Sequence, residues 1–423
     1  MKSQSINTPV VTTFNTSKWI SFSVINFLVL ALAGVLLRYK IVSFLPQINQ
    51  KYLLHSHSHF AFVGWLALAF MVLMLSYLRT LPGVLNYRKY HWTLWANTIT
   101  AYGMLFTFII QGYAKYSITF STLSLFVSYV FIYQYWKDLN TVKISPAISL
   151  WFKTGFVIWA FSSCGAYSLA FLMARHIVNA DLTLSAIYFY MHFQYNGWML
   201  FIGFGLLFAF LNSNNNSQLQ KISKNIYAVL VLTVVPSYFL SIIGLHIPSS
   251  LYTIAVISGI LQLLSIVYVL KLLAIIKSDP VRSFRSTTEY LWSVALFSFV
   301  LKTVLQGLSV LPYFSQSAIG FRPVVIGYLH LCFMGMISFF ILGYFNEILA
   351  EKGKGLSKKG LIILTGGIVL QEMVLMGEGL RSMNNELLPH ADMYLLVAAG
   401  LIVTGIAFLA FQKEVFTQKK RPS

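Results

Sequence analysis

Long apolar stretches follow one another along almost the whole chain and dominate what it can fold into. A helix that spans a bilayer needs about 20 mostly apolar residues. Only 10% of the 423 residues are charged and the mean hydropathy is +0.73, a balance that no soluble domain keeps over such a length. The sequence therefore predicts an all-α membrane protein, a single integral-membrane domain over residues 1–423. Twelve transmembrane helices are expected, at about 19–37, 54–78, 92–113, 117–136, 149–172, 185–212, 225–245, 251–275, 288–309, 323–347, 360–379 and 393–412.

The basic residues predict the orientation of these helices. Most of the 30 lysines and arginines lie in the N-terminus, the even-numbered loops and the C-terminus. The positive-inside rule then places both termini in the cytoplasm, and we expect a multi-pass protein of the bacterial cytoplasmic (inner) membrane. The net charge of +19 is explained by this topology and by anionic membrane lipid, and it requires no nucleic acid.

One short pattern, a histidine followed five positions later by a glycine, occurs three times in comparable places. The copies are His59–Gly64 (HFAFVGW), His192–Gly197 (HFQYNGW) and His330–Gly335 (HLCFMGM). The first two histidines are 133 residues apart and the last two 138 residues apart. A fixed period of this kind indicates internal repeats. It predicts three pseudo-repeats of four helices, at approximately 19–136, 149–275 and 288–412.

The three histidines fall at one depth of the predicted bundle. In the predicted orientation each lies roughly 8–10 Å inside the second, sixth or tenth helix from the outer face, at 1.5 Å per residue. A lone intramembrane histidine is often an interhelical hydrogen-bonding residue, but three at one depth favour a metal or haem centre, because imidazole is the commonest metal ligand. Gly64 and Gly335 would let a flat ligand approach the helix closely. Gln194 and Asn196 are expected to orient the ring of His192.

The run HSHSH at 55–59 contains three histidines on one helix. At about 100° per residue, His55 and His59 lie on nearly one face and His57 points away from them. The register of the repeat selects His59 as the primary candidate ligand.

Three segments carry a resemblance to a known family: LLHSHSHFAFVGWLALAF, YFYMHFQYNGWMLF and GYLHLCFMGMISFFILGYF. Together with the topology, they resemble subunit I of the haem-copper oxidase and nitric oxide reductase superfamily. The middle segment resembles the reductase and cbb3-type branch more than the mitochondrial type. The resemblance implies that His59 and His330 bind a low-spin haem and that His192 binds copper. It also implies that Arg381 lies near the haem propionates.

The chain departs from the family pattern at two places. The seventh helix lacks the family's His-His pair and has only His246 at its end, and Tyr328 stands where the tenth helix should carry a second histidine. One histidine does not make a copper site. We therefore expect a divergent homologue with one bis-histidine haem b, serving electron transfer or oxygen- or nitric oxide-related respiration, because two imidazoles leave no open axial position. A quinone or a cytochrome would be its electron partner.

Two other functions remain open from the sequence. The missing ligands, together with Lys302 and Glu372 inside predicted spans, fit a haem-free transporter or permease on the same scaffold. The repeats, however, would be parallel, unlike the inverted repeats of many transporters. A haem membrane protein of the nitric-oxide-response kind is the other alternative.

Overall fold

Helices make up nearly all of the structure, a computed structural model that describes residues 14–83, 85–211, 215–245, 247–278, 284–311, 314, 322–382, 384 and 386–412. Within these residues eleven helices are long and apolar enough to cross a membrane. His246 and the basic C-terminal tail lie outside the described residues. Helices are numbered in chain order, and α7 (Ser217–Thr233) is a shorter helix. The eleven long helices are α1 (Thr16–Val42), α2 (Gln50–Leu78), α3 (Arg88–Gln111), α4 (Lys115–Leu139), α5 (Pro146–Ala174), α6 (Ala180–Phe210), α8 (Ser249–Ser278), α9 (Ser286–Leu308), α10 (Arg322–Ala350), α11 (Lys358–Ser382) and α12 (Ala391–Ala410).

The predicted seventh segment, 225–245, is a broken helix. It consists of α7 (Ser217–Thr233), a turn that contains Pro236, and a short helical continuation, Tyr238–Ser241. Proline has no amide hydrogen and interrupts the helical ladder. The amide of Tyr238 consequently bonds to the Val235 carbonyl at 3.1 Å, which leaves the Val234 carbonyl free for another donor.

The short connections make consecutive helices run in opposite directions. A helix of 25 residues is about 37 Å long, farther than the shortest connections, such as 112–114 and 175–179, can reach back. We name the two ends of the bundle by their residues. The basic end holds the connections 79–87, 140–145 and 351–357, and the histidine end holds the connections 43–49, 112–114 and 175–179.

The helices α2, α6 and α10 meet in the interior through one residue of each repeated pattern. Phe62, Tyr195 and Phe333 each lie three positions after the histidine of their own copy. The ring centres of Phe62 and Phe333 are 4.9 Å apart and those of Tyr195 and Phe333 are 5.6 Å apart, both edge to face. Equivalent positions of the three copies therefore converge on one aromatic cluster.

Each repeated pattern also contains a π-helical turn. These turns begin one or two residues after the histidine, at Ala61–Ala67, Phe193–Trp198 and Leu331–Ser338. A π-turn accommodates an extra residue in an α-helix and is frequent at functional sites. The first two copies share a further feature, since Trp65 stacks on Phe27 at 4.3 Å and Trp198 stacks on Trp159 at 4.0 Å.

Candidate functional site

The histidines of α2 divide between two faces of the helix. The ring of His59 stacks on Phe108 at 4.3 Å and its Nε2 is 2.9 Å from the Tyr113 hydroxyl. His55 packs edge-on against Tyr113 at 4.6 Å. The prediction that His55 and His59 share a face is confirmed. That face is turned towards the end of α3, because Phe108 and Tyr113 cover it.

His57 lies on the other face, against α1. Its Cε1 is 3.4 Å from the position that a Cβ on Gly34 would occupy, so the ring lies close to the backbone of α1. The ring interacts with the Leu30 carbonyl and electrostatically with His330 and Arg38. Its Nδ1 is buried and has no hydrogen-bond partner in the part of the chain that the structure describes. Of the histidines on α2, His57 is the one that interacts electrostatically with His330.

His330 is anchored to its own helix by one ring nitrogen. Its Nδ1 donates to the Ile326 carbonyl at 2.8 Å. From this bond we infer the tautomer that leaves Nε2 as a lone-pair donor. No hydrogen bond to Nε2 is formed within the described ranges. Anchoring one imidazole nitrogen on a carbonyl while the other stays free is the usual arrangement of a metal-binding histidine.

Two arginines, Arg381 and Arg38, are candidates for a positive charge near these imidazole rings. Arg381, the residue that the family resemblance selects, is exposed and pairs with Glu386 at 3.1 Å. Arg38 on α1 is less exposed and interacts electrostatically with both His57 and His330. The same guanidinium also lies in the field of two carboxylates and a second cation on neighbouring helices, namely Glu378, Asp392 and Arg322. Sequence patterns gave no reason to single out Arg38.

His192 is fully buried and hydrogen-bonded at both ring nitrogens. Its Nε2 donates to the Val234 carbonyl at 2.8 Å, the group that the break in α7 leaves free. Its Nδ1 accepts from the side chains of Asn196 and Ser241, each at 3.2 Å. Asn196 thus orients the ring as predicted, whereas Gln194 bonds elsewhere, to Ser162 and Trp198.

A buried lysine completes this hydrogen-bond network. Lys302 of α9 is only 1% exposed, and its Nζ donates to the Asn196 carbonyl oxygen. Its ammonium also lies 5.9 Å from the centre of the Tyr195 ring. No carboxylate pairs with it among the described residues, and Glu372 instead lies beside Gly327 of α10 with one buried oxygen unpartnered. Lys302, Asn196, His192 and the Val234 carbonyl form one hydrogen-bonded chain across three helices.

The glycines of the repeated pattern are close to protein side chains. A Cβ on Gly335 would lie 2.7 Å from Ser298 Oγ, and one on Gly64 would lie 2.7 Å from the Phe60 ring. A Cβ on Gly197 would overlap Ile158 of α5. The small residue is needed for close packing at all three positions.

Gly197→Ala is expected to destabilise the protein by about 1–3 kcal/mol, the usual cost of overpacking. Gly197 also has non-helical backbone angles (φ −99°, ψ −115°) within the π-turn. Thermal unfolding in detergent measures the effect. Gly366→Ala is the matched control, since a Cβ there meets nothing within 4 Å and alanine favours the helix. Equal stability of the two variants would contradict the packing role of Gly197.

Groups of three or more His, Cys, Asp or Glu side chains that suit a metal ion do not occur among the described residues. The sequence matches no protein-family model. It also has no significant similarity to any curated protein.

Proposed function

We propose that this multi-pass membrane protein binds one haem b between α2 and α10, near the histidine end. It would act in electron transfer or in oxygen- or nitric oxide-related respiration, as a divergent relative of haem-copper oxidase subunit I. One observation carries the proposal. His330 is anchored through Nδ1 and interacts electrostatically with His57, and neither its Nε2 nor the buried Nδ1 of His57 has a hydrogen-bond partner among the described residues.

These residues fit a haem in the chemistry of their donors. A buried polar atom without a hydrogen bond is costly, and coordination would satisfy the orphaned nitrogen of His57. His59 is the alternative second ligand, but it would have to leave Tyr113 and Phe108. Arg38 and Arg322 would pair with the two propionates, with Arg381 farther out. Haem b held by two imidazoles would supply a one-electron carrier.

We further propose twelve membrane crossings in three parallel pseudo-repeats, with the broken helix α7 as the seventh crossing. The convergence of Phe62, Tyr195 and Phe333 supports this arrangement, as do the three π-turns at equivalent places. The basic end would face the cytoplasm of a bacterium, with both termini inside, because positive loops are retained there.

Copper does not fit the site around His192. Both of its ring nitrogens are engaged by protein groups. The nearest groups of the broken helix are the Val234 carbonyl and the hydroxyls of Ser237 and Ser241, which are poor partners for a copper ion. The buried Lys302 ammonium adds a positive charge to the same network. We therefore assign no copper chemistry to this chain, and its electron partner would be a quinone or a cytochrome.

The absorption spectrum of the full chain, purified from haem-replete cells, tests the proposal. We expect one haem per chain, with a b-type α band after reduction. A colourless preparation from cells that incorporate haem into a control cytochrome would refute it.

Arg38→Gln is expected to lower the reduction potential of the bound haem by an amount on the order of 50 mV. A positive charge favours the reduced state, and a unit charge on the order of 10 Å from a redox centre would contribute about 1 kcal/mol at an effective dielectric constant of about 30. A redox titration followed at the α band measures the shift. Arg381→Gln is the matched comparison and should shift the potential less, because Arg381 is exposed and paired with Glu386. The reverse order would restore Arg381 as the propionate partner.

A haem-free permease is the second candidate, and two ionisable side chains inside spans, one buried and one half-buried, favour it. Lys302 has no carboxylate partner and Glu372 has an unpartnered oxygen, both inside spans within the described part of the chain. Such residues often mark a substrate or proton path. Solute uptake by proteoliposomes that contain haem-free protein would support the permease.

A further inference from the structure

A large apolar cavity lies in the half of the bundle nearer the basic end, away from the histidines. It has a volume of about 220 Å³, is partly open, and is lined mainly by α6, α8, α9 and α10. Leu200, Gly203, Leu272, Ala295, Phe299 and Met336 are among its lining residues. Apolar cavities of roughly 150 Å³ remain dry and bind small hydrocarbons. Because the lining is apolar, an acyl chain suits this space better than water does.

Opposite charges stand at the mouth of this cavity. Lys277, near the end of α8, and Glu289, in the first turn of α9, both line it and are both exposed. Neither side chain forms an ion pair or a hydrogen bond within the described ranges. Ser293, one turn after Glu289, is another polar lining residue. The cavity thus combines an apolar body with one cation and one anion at its mouth, neither of them paired within the part of the chain that the structure describes.

These charges select among the lipids of the membrane. A purely anionic head group would satisfy Lys277 but would meet the carboxylate of Glu289. An amine-bearing zwitterionic head group satisfies both, because its phosphate pairs with Lys277 and its ammonium donates to Glu289. A quinone ring would need donors deeper in the cavity, and the indole Nε1 of Trp292 already donates to the Phe340 carbonyl at 3.1 Å.

We propose that this cavity is a specific site for one aminophospholipid, with an acyl chain between α6, α8, α9 and α10 and the head group between Lys277 and Glu289. The site is separate from the proposed haem centre and does not depend on it. The lipid would fill the space between the second and third groups of four helices.

Native mass spectrometry of the delipidated full chain tests this site. The protein is titrated with phosphatidylethanolamine, phosphatidylglycerol or phosphatidylcholine that carry identical acyl chains. We expect one tightly held phosphatidylethanolamine and weaker binding of the other two lipids. Lys277→Gln and Glu289→Gln should each weaken that preference by roughly fivefold, whereas Lys221→Gln, at an exposed position of α7, should not. Equal retention of the three lipids by the unmodified protein would overturn the proposal.

Filling the cavity gives an independent test. A Cβ on Gly203 would meet only Phe340, at 3.7 Å, so Gly203→Leu extends into the cavity and should abolish lipid retention. Gly366→Leu makes the same change where no atom lies within 4 Å and should have no effect. If Gly203→Leu fails to fold, cross-linking of the unmodified protein with a diazirine-bearing phosphatidylethanolamine decides. Labels should concentrate on peptides with Leu272 and Ala295, and labelling spread evenly over all helices would refute the site.

Discussion

His330→Ala is expected to remove bound haem almost completely, lowering the haem-to-protein ratio by more than about tenfold. Loss of a residue that only hydrogen-bonds to a metal ligand typically weakens metal binding roughly 10–100-fold. Loss of His330 should have a larger effect, because His330 is the proposed ligand itself. Its Nδ1 bond to the Ile326 carbonyl holds the ring in place. The measurement is the reduced-minus-oxidised spectrum of purified protein, normalised to its concentration.

The same measurement identifies the second ligand on α2. His57→Ala should lose haem as His330→Ala does, while His59→Ala should keep it, because His59 packs on Phe108 and bonds to Tyr113. His176→Asn is the control, since His176 is exposed at the histidine end and asparagine tolerates its positive φ of 53°. Haem loss in His59→Ala alone would assign the ligand to His59. Full haem retention in all three alanine variants would exclude the proposed centre.

Asn196→Leu is expected to destabilise the fold by about 3–5 kcal/mol, the typical cost of removing one partner of a buried charge. The Lys302 ammonium is 1% exposed, and Asn196 is its hydrogen-bond acceptor. Denaturant unfolding in mixed micelles measures the loss. A haem-retention assay on the same samples separates a folding defect from an effect on the proposed haem centre.

A second substitution shows whether the buried charge causes this loss. Lys302→Met alone leaves the Asn196 oxygen unpaired and should cost about 1–3 kcal/mol. In the double variant Asn196→Leu/Lys302→Met, the buried ammonium that has lost its hydrogen-bond acceptor is removed as well. The double variant should therefore be more stable than Asn196→Leu alone. His192 would still accept a bond from Ser241. Simple additivity of the two losses would mean that Lys302 and Asn196 are not energetically coupled.

Helix positions could be predicted from the sequence because span length and flanking charge are local properties. The observed ends of α2, at Gln50 and Leu78, differ from the predicted 54–78 by only a few residues. The break in α7 had a visible signal in Pro236, at the centre of the predicted span 225–245. Apolar content alone does not distinguish such a segment from an unbroken helix.

Side-chain partners could not be predicted in the same way. The helical rotation of 100° per residue predicts that His57 and His59 lie on different faces of α2. It does not predict which face is turned towards α10, because that depends on how α2 packs between Gly34 of α1 and Phe108 of α3. Lys302 and Asn196 are 106 residues apart, and no local pattern joins them. Only the packing of α6 against α9 brings the two side chains into contact.

The π-turns let the two halves of a histidine-bearing helix be oriented independently. Each extra residue shifts the preceding segment by roughly 100° around the helix axis relative to the segment that follows. Deleting one residue from 61–67 would therefore swing 50–60 to a different azimuth while 68–78 kept its neighbours. Single-residue insertions and deletions at these turns give such a scaffold a way to exchange which imidazole points inward without rebuilding the core at the opposite end.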